Sequence, residues 1–238
     1  MDKNIVDIIA PPAIKIDPNY LKVGDKYAKT IFVFTYPRYL STGWFSAVID
    51  MPELLDISIF IHPIETPIAL KKLRKKAAQV ESQMIEKQQK GMVRDPLLET
   101  AYQDIESLRD SLQQTRENLF NVGLYMTIYA DTLESLRKIE NKISSLLESR
   151  LVYVKPALFE QMEGFESTIP LGQDKLGIYN PLNSGPLSSI FPFTSADLTS
   201  NSGIMYGINR HNNTLIIFDR FSLENANMVI FAKSGSGK

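Results

Sequence analysis

The chain contains no cysteine, which excludes both a disulfide framework and a thiolate metal site. Histidine occurs only at positions 62 and 211. Two histidines so far apart argue against a multi-histidine metal centre, and no neighbouring pattern places either in a catalytic triad. An excess of charge is missing too. The formal net charge is -1, so no global field draws the chain toward nucleic acid or an anionic membrane. No apolar run approaches the ~18 residues that a membrane-spanning helix needs. The first stretch, MDKNIVDIIAPPAIKI, is short of apolar residues and broken by Pro11 and Pro12, so it does not read as a signal peptide. A cytoplasmic protein is expected, with peripheral membrane attachment left open.

What is present is an ordinary globular composition. With 238 residues, 44% of them hydrophobic, the chain has room for one large domain or two small ones. Residues 1–24 read as an extended arm rich in Pro and Asp. KYAKTIFVFTYP (26–37) reads as a strand buried on both faces, and TGWFSAVIDMP (42–52) as a short helix. LLDISIFIHPI (54–64) is a second β-branched strand. Leu70, Leu73, Ala77, Val80 and Met84 then recur at helical spacing, KGMVRDP interrupts them, and Leu98, Ala101, Ile105, Leu108, Leu112 and Leu119 resume the pattern. This predicts an antiparallel helical hairpin over 67–119. NVGLYMTIYA (121–130) is a third strand. Asp131 and Thr132 stand at an N-cap, Glu134 lies in the first helical turn, and Leu136, Ile139, Ile143 and Leu147 line an apolar helix face. RLVYVKPA (150–157) is a fourth strand.

ISIFIHPIETPIALKKLRKK and LYMTIYADTLESLRKIENK both run strand, acid, Thr, helix, which reads equally as a weak internal repeat or as chance similarity between two strand-to-helix units. The element order predicts an α+β fold over residues 1–160, a ferredoxin-like split β-α-β domain with a helical hairpin inserted in its middle connection. Residues 161–203, rich in Pro, Gly, Ser and Asn, read as a linker after a helical start at PALFEQME (156–163). Residues 204–238 read as the first strands of a RecA-like P-loop domain. HNNT, with Asn212 and Asn213, would turn a β-hairpin there.

Two features carry candidate function. Lys71, Lys72, Arg74, Lys75 and Lys76 cluster early in the first long helix. They read either as a solvated helix face or as a docking surface for an acidic partner or lipid headgroups. No aromatic residue interleaves with them, which weakens a nucleic-acid reading. The second feature is NMVIFAKSGSGK, residues 227–238. A phosphate-binding loop needs a strand, a Gly-rich turn whose N–H groups point inward, and a lysine for the outer phosphates. Met228–Phe231 would supply the strand, Ser234, Gly235, Ser236 and Gly237 the turn, and Lys238 the charge. Ala232 stands where the motif usually has Gly, and the Ser or Thr that would hold magnesium would be residue 239. A flexible polar tail competes with this reading. No catalytic residue and no metal ligand can be assigned within the chain, and the 238 residues alone are expected to lack ATPase activity.

SIFPFTSADL, then GIMYGINRHNNTLIIFDRF, then ENANMVIFAKSGSGK occur in that order. This resembles the motor ATPases of type IV secretion and conjugative transfer, the CagE/TrbE/VirB class. The likeness rests on residues 188–238, including Gly203, Gly207 and Asn209 in the hairpin and Asn225 or Asn227 before the loop. It implies that the full-length protein is a hexameric RecA-like ATPase using ATP and Mg2+ on the cytoplasmic face of a membrane channel. It also implies Ser234, Gly235, Ser236, Gly237 and Lys238 as phosphate contacts, with Gly203 and Gly207 structural. The N-terminal part would dock the motor on inner-membrane channel subunits, and DNA or protein substrate would be engaged indirectly. A HerA/FtsK-like DNA translocase and a pure interaction module without a nucleotide role are the alternatives.

Overall fold

The computed structural model describes residues 13–90, 95–191, 200–209, 214–229 and 231–235. The chain is a mixed α+β protein that divides into two units. The first comprises residues up to Trp44 and Glu53–Phe191, and the second comprises Phe45–Pro52 and residues 192–238.

The first unit is built on one antiparallel sheet. Its strands are β1 (Ile14–Asp17), β2 (Tyr20–Val23), β3 (Lys26–Thr35), β4 (Leu55–Ile64), β5 (Leu119–Ala130), β6 (Tyr153–Pro156) and β7 (Asn180–Asn183). The main order is β1-β2-β3-β5-β4, with β6 paired to β3 and β7 paired to β5. Tyr27 and Ala28 of β3 pair with both β2 and β5, whereas Ile31 and Phe32 pair with both β5 and β6. Strands β2 and β6 therefore follow one another along the same side of β3. By the same argument β3 and β7 share one side of β5.

Residues 14–23, expected within an extended arm, form the β1–β2 hairpin instead. The Asp and Pro content there is turn chemistry: Asp17 accepts from the Asn19 N–H across the Asp-Pro-Asn-Tyr turn. The first long strand and the 54–64 strand appear within a residue or two of their expected bounds. The 42–52 segment yields only a four-residue helix, α1 (Ser46–Ile49), which belongs to the second unit.

The helical hairpin appears as α2 (Thr66–Gln89) and α3 (Pro96–Gln113). Proline occupies the first turn of each helix, where a missing N–H costs nothing. Asp95 caps α3 by accepting from the Leu97 N–H at 3.0 Å. The hairpin ends at Gln113 and not at 119, because Leu119 opens β5 and lies opposite Ile64 of β4. Ala69, Leu112 and Leu119 are buried together there, with Ile64, Leu70, Leu73 and Leu108 packed around them.

Residues opposite one another in an antiparallel pair share a sheet face. Lys29, Ile31, Met126 and Ile128 occupy one face, which receives α4 (Leu133–Glu148). The N-cap of α4 is Thr132, whose Oγ1 accepts from the Ser135 N–H, and Leu136, Ile143 and Leu147 are buried. Truncating one such side chain to Ala costs about 2–5 kcal/mol. A half-buried ion pair, Lys29 Nζ to Glu140 Oε2 at 2.7 Å, ties α4 to the centre of β3.

The opposite face receives α5 (Gln161–Thr168), five residues later than the expected helical start at Pro156. Pro156 still belongs to β6, and Phe159 adopts φ +63°, which interrupts any helix from 156. Segment 161–191 carries more structure than its composition indicated. After α5 it crosses the sheet face, adds β7 to the sheet and ends in α6 (Ser184–Ser188). The first unit closes at Phe191.

In the second unit, β8 (Ile204–Ile208) and β9 (Leu215–Phe218) form the expected hairpin, with a bulge at Met205–Gly207. The Asn209 N–H donates to the Thr214 carbonyl at its closed end. Residues 210–213, which include His211, Asn212 and Asn213 of the HNNT turn, lie outside the described residues. At Gly203, φ is +129° and a Cβ would fall 2.4 Å from the Asp219 nitrogen, so only glycine fits. The strand expected over NANMVIFA does not appear among the described residues, which carry no β pairing there. Apolar character makes a strand only where a neighbour takes its backbone groups.

Candidate functional site

The expected phosphate loop is described only at its start. Ser234 and Gly235 form an exposed turn, with Gly235 at φ +83°, the left-handed conformation that a tight Gly-rich turn requires. Ser236, Gly237 and Lys238 lie outside the described residues. The preceding apolar residues face solvent: Val229 is 73% exposed and Phe231 92%. Nearby, Tyr206, Ile216, Phe218, Arg220, Leu223 and Met228 line an apolar cavity of about 410 Å³. A two-stranded hairpin with this much exposed apolar surface has little independent stability.

The basic cluster is fully described. Lys71, Lys72, Arg74, Lys75 and Lys76 are all exposed. At 100° per residue they span more than half of the circumference of α2: Lys71 and Lys75 lie opposite buried Ala69, Ala77 and Val80, while Lys72, Arg74 and Lys76 flank that buried stripe. Ile68 stands among them and is also exposed. The ion pairs seen within the hairpin involve other residues: Lys87 with Asp95, Lys90 with Glu86, and Arg109 with Glu106. The cluster sits at the base of the hairpin, within its second and third turns, and not at its tip. Near the tip, the Lys87 ammonium beside Asp95 and the Leu97 N–H hold the Asp95 carboxyl below its ordinary range.

Two polar clusters on the α5 face escaped sequence reasoning. In the first, the Tyr125 hydroxyl lies 3.2 Å from Asp174 Oδ2 and 3.0 Å from the Ile178 carbonyl, and accepts from the Ile178 N–H. Asp174 also accepts from the Gly177 N–H. His62 Nε2 approaches the same carboxylate at 4.0 Å while its ring stands edge-on to Tyr179. A hydrogen bond to Asp174, together with burial, pushes the Tyr179 phenol up to about 12. Burial and Asp174 push Tyr125 up as well. The arrangement holds protonated phenols on one carboxylate and pins residues 174–179 to the sheet.

The second cluster is a buried row of hydroxyls. Thr30 Oγ1 lies 2.7 Å from Thr127 Oγ1, and Thr127 Oγ1 lies 2.6 Å from Thr168 Oγ1. Thr168 donates onward to the Phe165 carbonyl at 3.0 Å. Gln161 brackets the Thr30 backbone, accepting from its N–H and donating to its carbonyl. Gly164 lets α5 approach this closely, since a Cβ there would fall 2.7 Å from Thr30. Threonine in a strand reads as a β-former, so nothing in the sequence marked these as mutual partners.

Among the described residues, no group of three or more His, Cys, Asp or Glu side chains is placed to hold a metal ion. No helix among them is long and apolar enough to cross a membrane. In comparisons with known proteins, no family model and no curated protein matches the chain.

Proposed function

We propose that these residues form the attachment domain and the entry to the motor domain of a P-loop ATPase of the type IV secretion and conjugative-transfer class. The observation that carries this reading is the succession of elements from Gly203 to Gly235, which Ser236, Gly237 and Lys238 follow in the sequence. A bulged hairpin opened by an obligate glycine leads to an apolar segment and a Gly-rich turn with Gly235 at φ +83°. Two further features support it. Strands β6, β3, β5 and β4 lie side by side and antiparallel, the order of a ferredoxin-like split β-α-β domain with the α2–α3 hairpin as its insertion. The exposed apolar surface of β8, β9, Met228, Val229 and Phe231 fits a segment that is completed by further layers of a RecA-like domain.

In this reading Ser234, Gly235, Ser236, Gly237 and Lys238 contact the phosphates of ATP. Mg2+ is held by residues of the full-length protein outside this chain. The first unit docks on inner-membrane channel subunits through the basic face of α2, the motor assembles as a hexamer, and DNA or protein substrate is moved by its other parts. The test is ATP hydrolysis by the full-length protein. Hydrolysis abolished by Lys238→Ala is expected, and hydrolysis unchanged by that substitution overturns the assignment. The 238-residue chain alone is expected to show none.

A further inference from the structure

Strand β4 is the outer strand of its sheet, and among the described residues it pairs only with β5. The Tyr129 N–H donates to the Leu54 carbonyl, so position 54 turns its backbone toward β5. Pairing alternates along an antiparallel ladder. Asp56, Ser58, Phe60 and His62 therefore also turn inward, while Leu55, Ile57, Ile59 and Ile61 present their N–H and C=O groups to the outside. Pro63 falls in the outward set, where its missing N–H costs the sheet nothing. The edge is ten residues long, keeps one register with β5 throughout and carries no lysine. Those are the features that sheets normally avoid at a free edge.

We propose that β4 pairs antiparallel with β4 of a second copy of this chain, about a two-fold axis through Ile59, so that one sheet runs across the dimer. The sequence of the strand is self-complementary on this axis. Ile59 meets its own copy, and Ile57 meets the partner's Ile61, giving a row of β-branched side chains on one face. On the other face Asp56 meets the partner's His62 at a non-hydrogen-bonded position, where opposite side chains approach closest. Ile59 and Ile61, 37% and 48% exposed, lose that exposure. Placing the axis between two residues would set each apolar face against the polar one. Placing it at Ile57 or Ile61 would shorten the ladder, and placing it at Ser58 or Phe60 would set Asp56 against the partner's Phe60 or Ile64 in place of His62. At the chosen axis the outward N–H and C=O groups of Ile57, Ile59 and Ile61 all find partners, and at the ladder's end the Pro63 carbonyl accepts from the partner's Leu55 N–H while the Leu55 carbonyl is left to solvent. A single strand pair buries little area, so the dimer depends on concentration.

The absence of cysteine makes the test clean. Opposed hydrogen-bonded residues stand about 5.5 Å apart at Cα, within disulfide reach. Ile59→Cys is expected to give a covalent dimer under mild oxidation or with a short bifunctional thiol reagent. Ser82→Cys, exposed on α2, is expected to give none. Sedimentation equilibrium should show a concentration-dependent dimer of the unmodified chain that Ile59→Lys abolishes with circular dichroism unchanged. Three results each overturn the pairing. They are a monomer at every concentration, a dimer that survives Ile59→Lys, and a folded Ile59→Cys variant that cross-links no more than Ser82→Cys. The readout involves neither nucleotide nor residues 234–238, so it is independent of the motor assignment.

Discussion

The hydroxyl row Thr30–Thr127–Thr168 has a direction, and that direction can be measured. The Thr168 proton goes to the Phe165 carbonyl at 3.0 Å, so at the 2.6 Å contact Thr127 must donate to Thr168. Thr30 must then donate to Thr127 at 2.7 Å. All three side chains are buried. Thr127→Val preserves shape but leaves the Thr30 hydroxyl with no acceptor. Two bonds of ~1 kcal/mol each are lost, and the orphaned buried donor costs about 1–3 kcal/mol more, so about 3–5 kcal/mol is expected. Thr30→Val removes the head of the row and orphans no donor, because Thr127 still donates to Thr168. About 1 kcal/mol is expected for it. The double variant should cost less than the sum, since valine at 30 leaves no donor to orphan. Urea melts of the four proteins give the cycle directly. Equal single costs, or strict additivity, would refute the assigned direction.

Three further outcomes follow from the structure. Asp95 has a depressed carboxyl, so its contribution to the hairpin is present above the unfolded carboxylate range and is lost as pH falls through its lower folded value. An acid titration of Asp95 followed by NMR should move back toward the ordinary range in Lys87→Ala, and an unmoved titration would sink the pairing. Tyr179 has a raised phenol, so its contribution is present below pH ~10 and is lost as pH rises toward about 12. Phenolate absorbance should show one fewer late-titrating tyrosine in Tyr179→Phe. Reversing Lys71, Lys72, Arg74, Lys75 and Lys76 to Glu should leave the thermal melt within a few degrees, since all five are exposed, yet release the full-length protein from membranes in cells. Retained attachment would return the cluster to a solvated helix face.

Long periodic segments were the legible part of the fold. The α2 and α4 faces and the strands at 26–35, 55–64 and 119–130 announce themselves through spacing, because burial on one or two sides dictates residue type. Short elements were not legible in the same way. Asp17, Pro18 and Asn19 read by composition as part of an extended arm, whereas their chemistry is that of a turn between β1 and β2. Leu119 fits a helical spacing, but its pairing with Ile64 decides its state. NANMVIFA has every local mark of a strand, yet pairing is a property of two segments and the described residues supply no second one. The candidate site shows the same division. The lysine cluster and the Gly-rich turn are contiguous in sequence and were visible, whereas Tyr125, Asp174, Tyr179 and His62 meet only through the fold.

Ile64 and Leu119 are neighbours across the sheet although 54 residues separate them in the chain. A flexible excursion of that length would have to be closed at random before β4 could find β5. Here α2 and α3 zip along each other through nearby contacts and are latched near their far end by Lys87 and Asp95. The excursion then behaves as a tight turn with a stiff stem about 36 Å long, at 1.5 Å per residue over the 24 residues of α2. The pairing of β4 with β5 is thus kinetically local, and the stem can vary in length by whole turns without altering the register of the sheet it grows from.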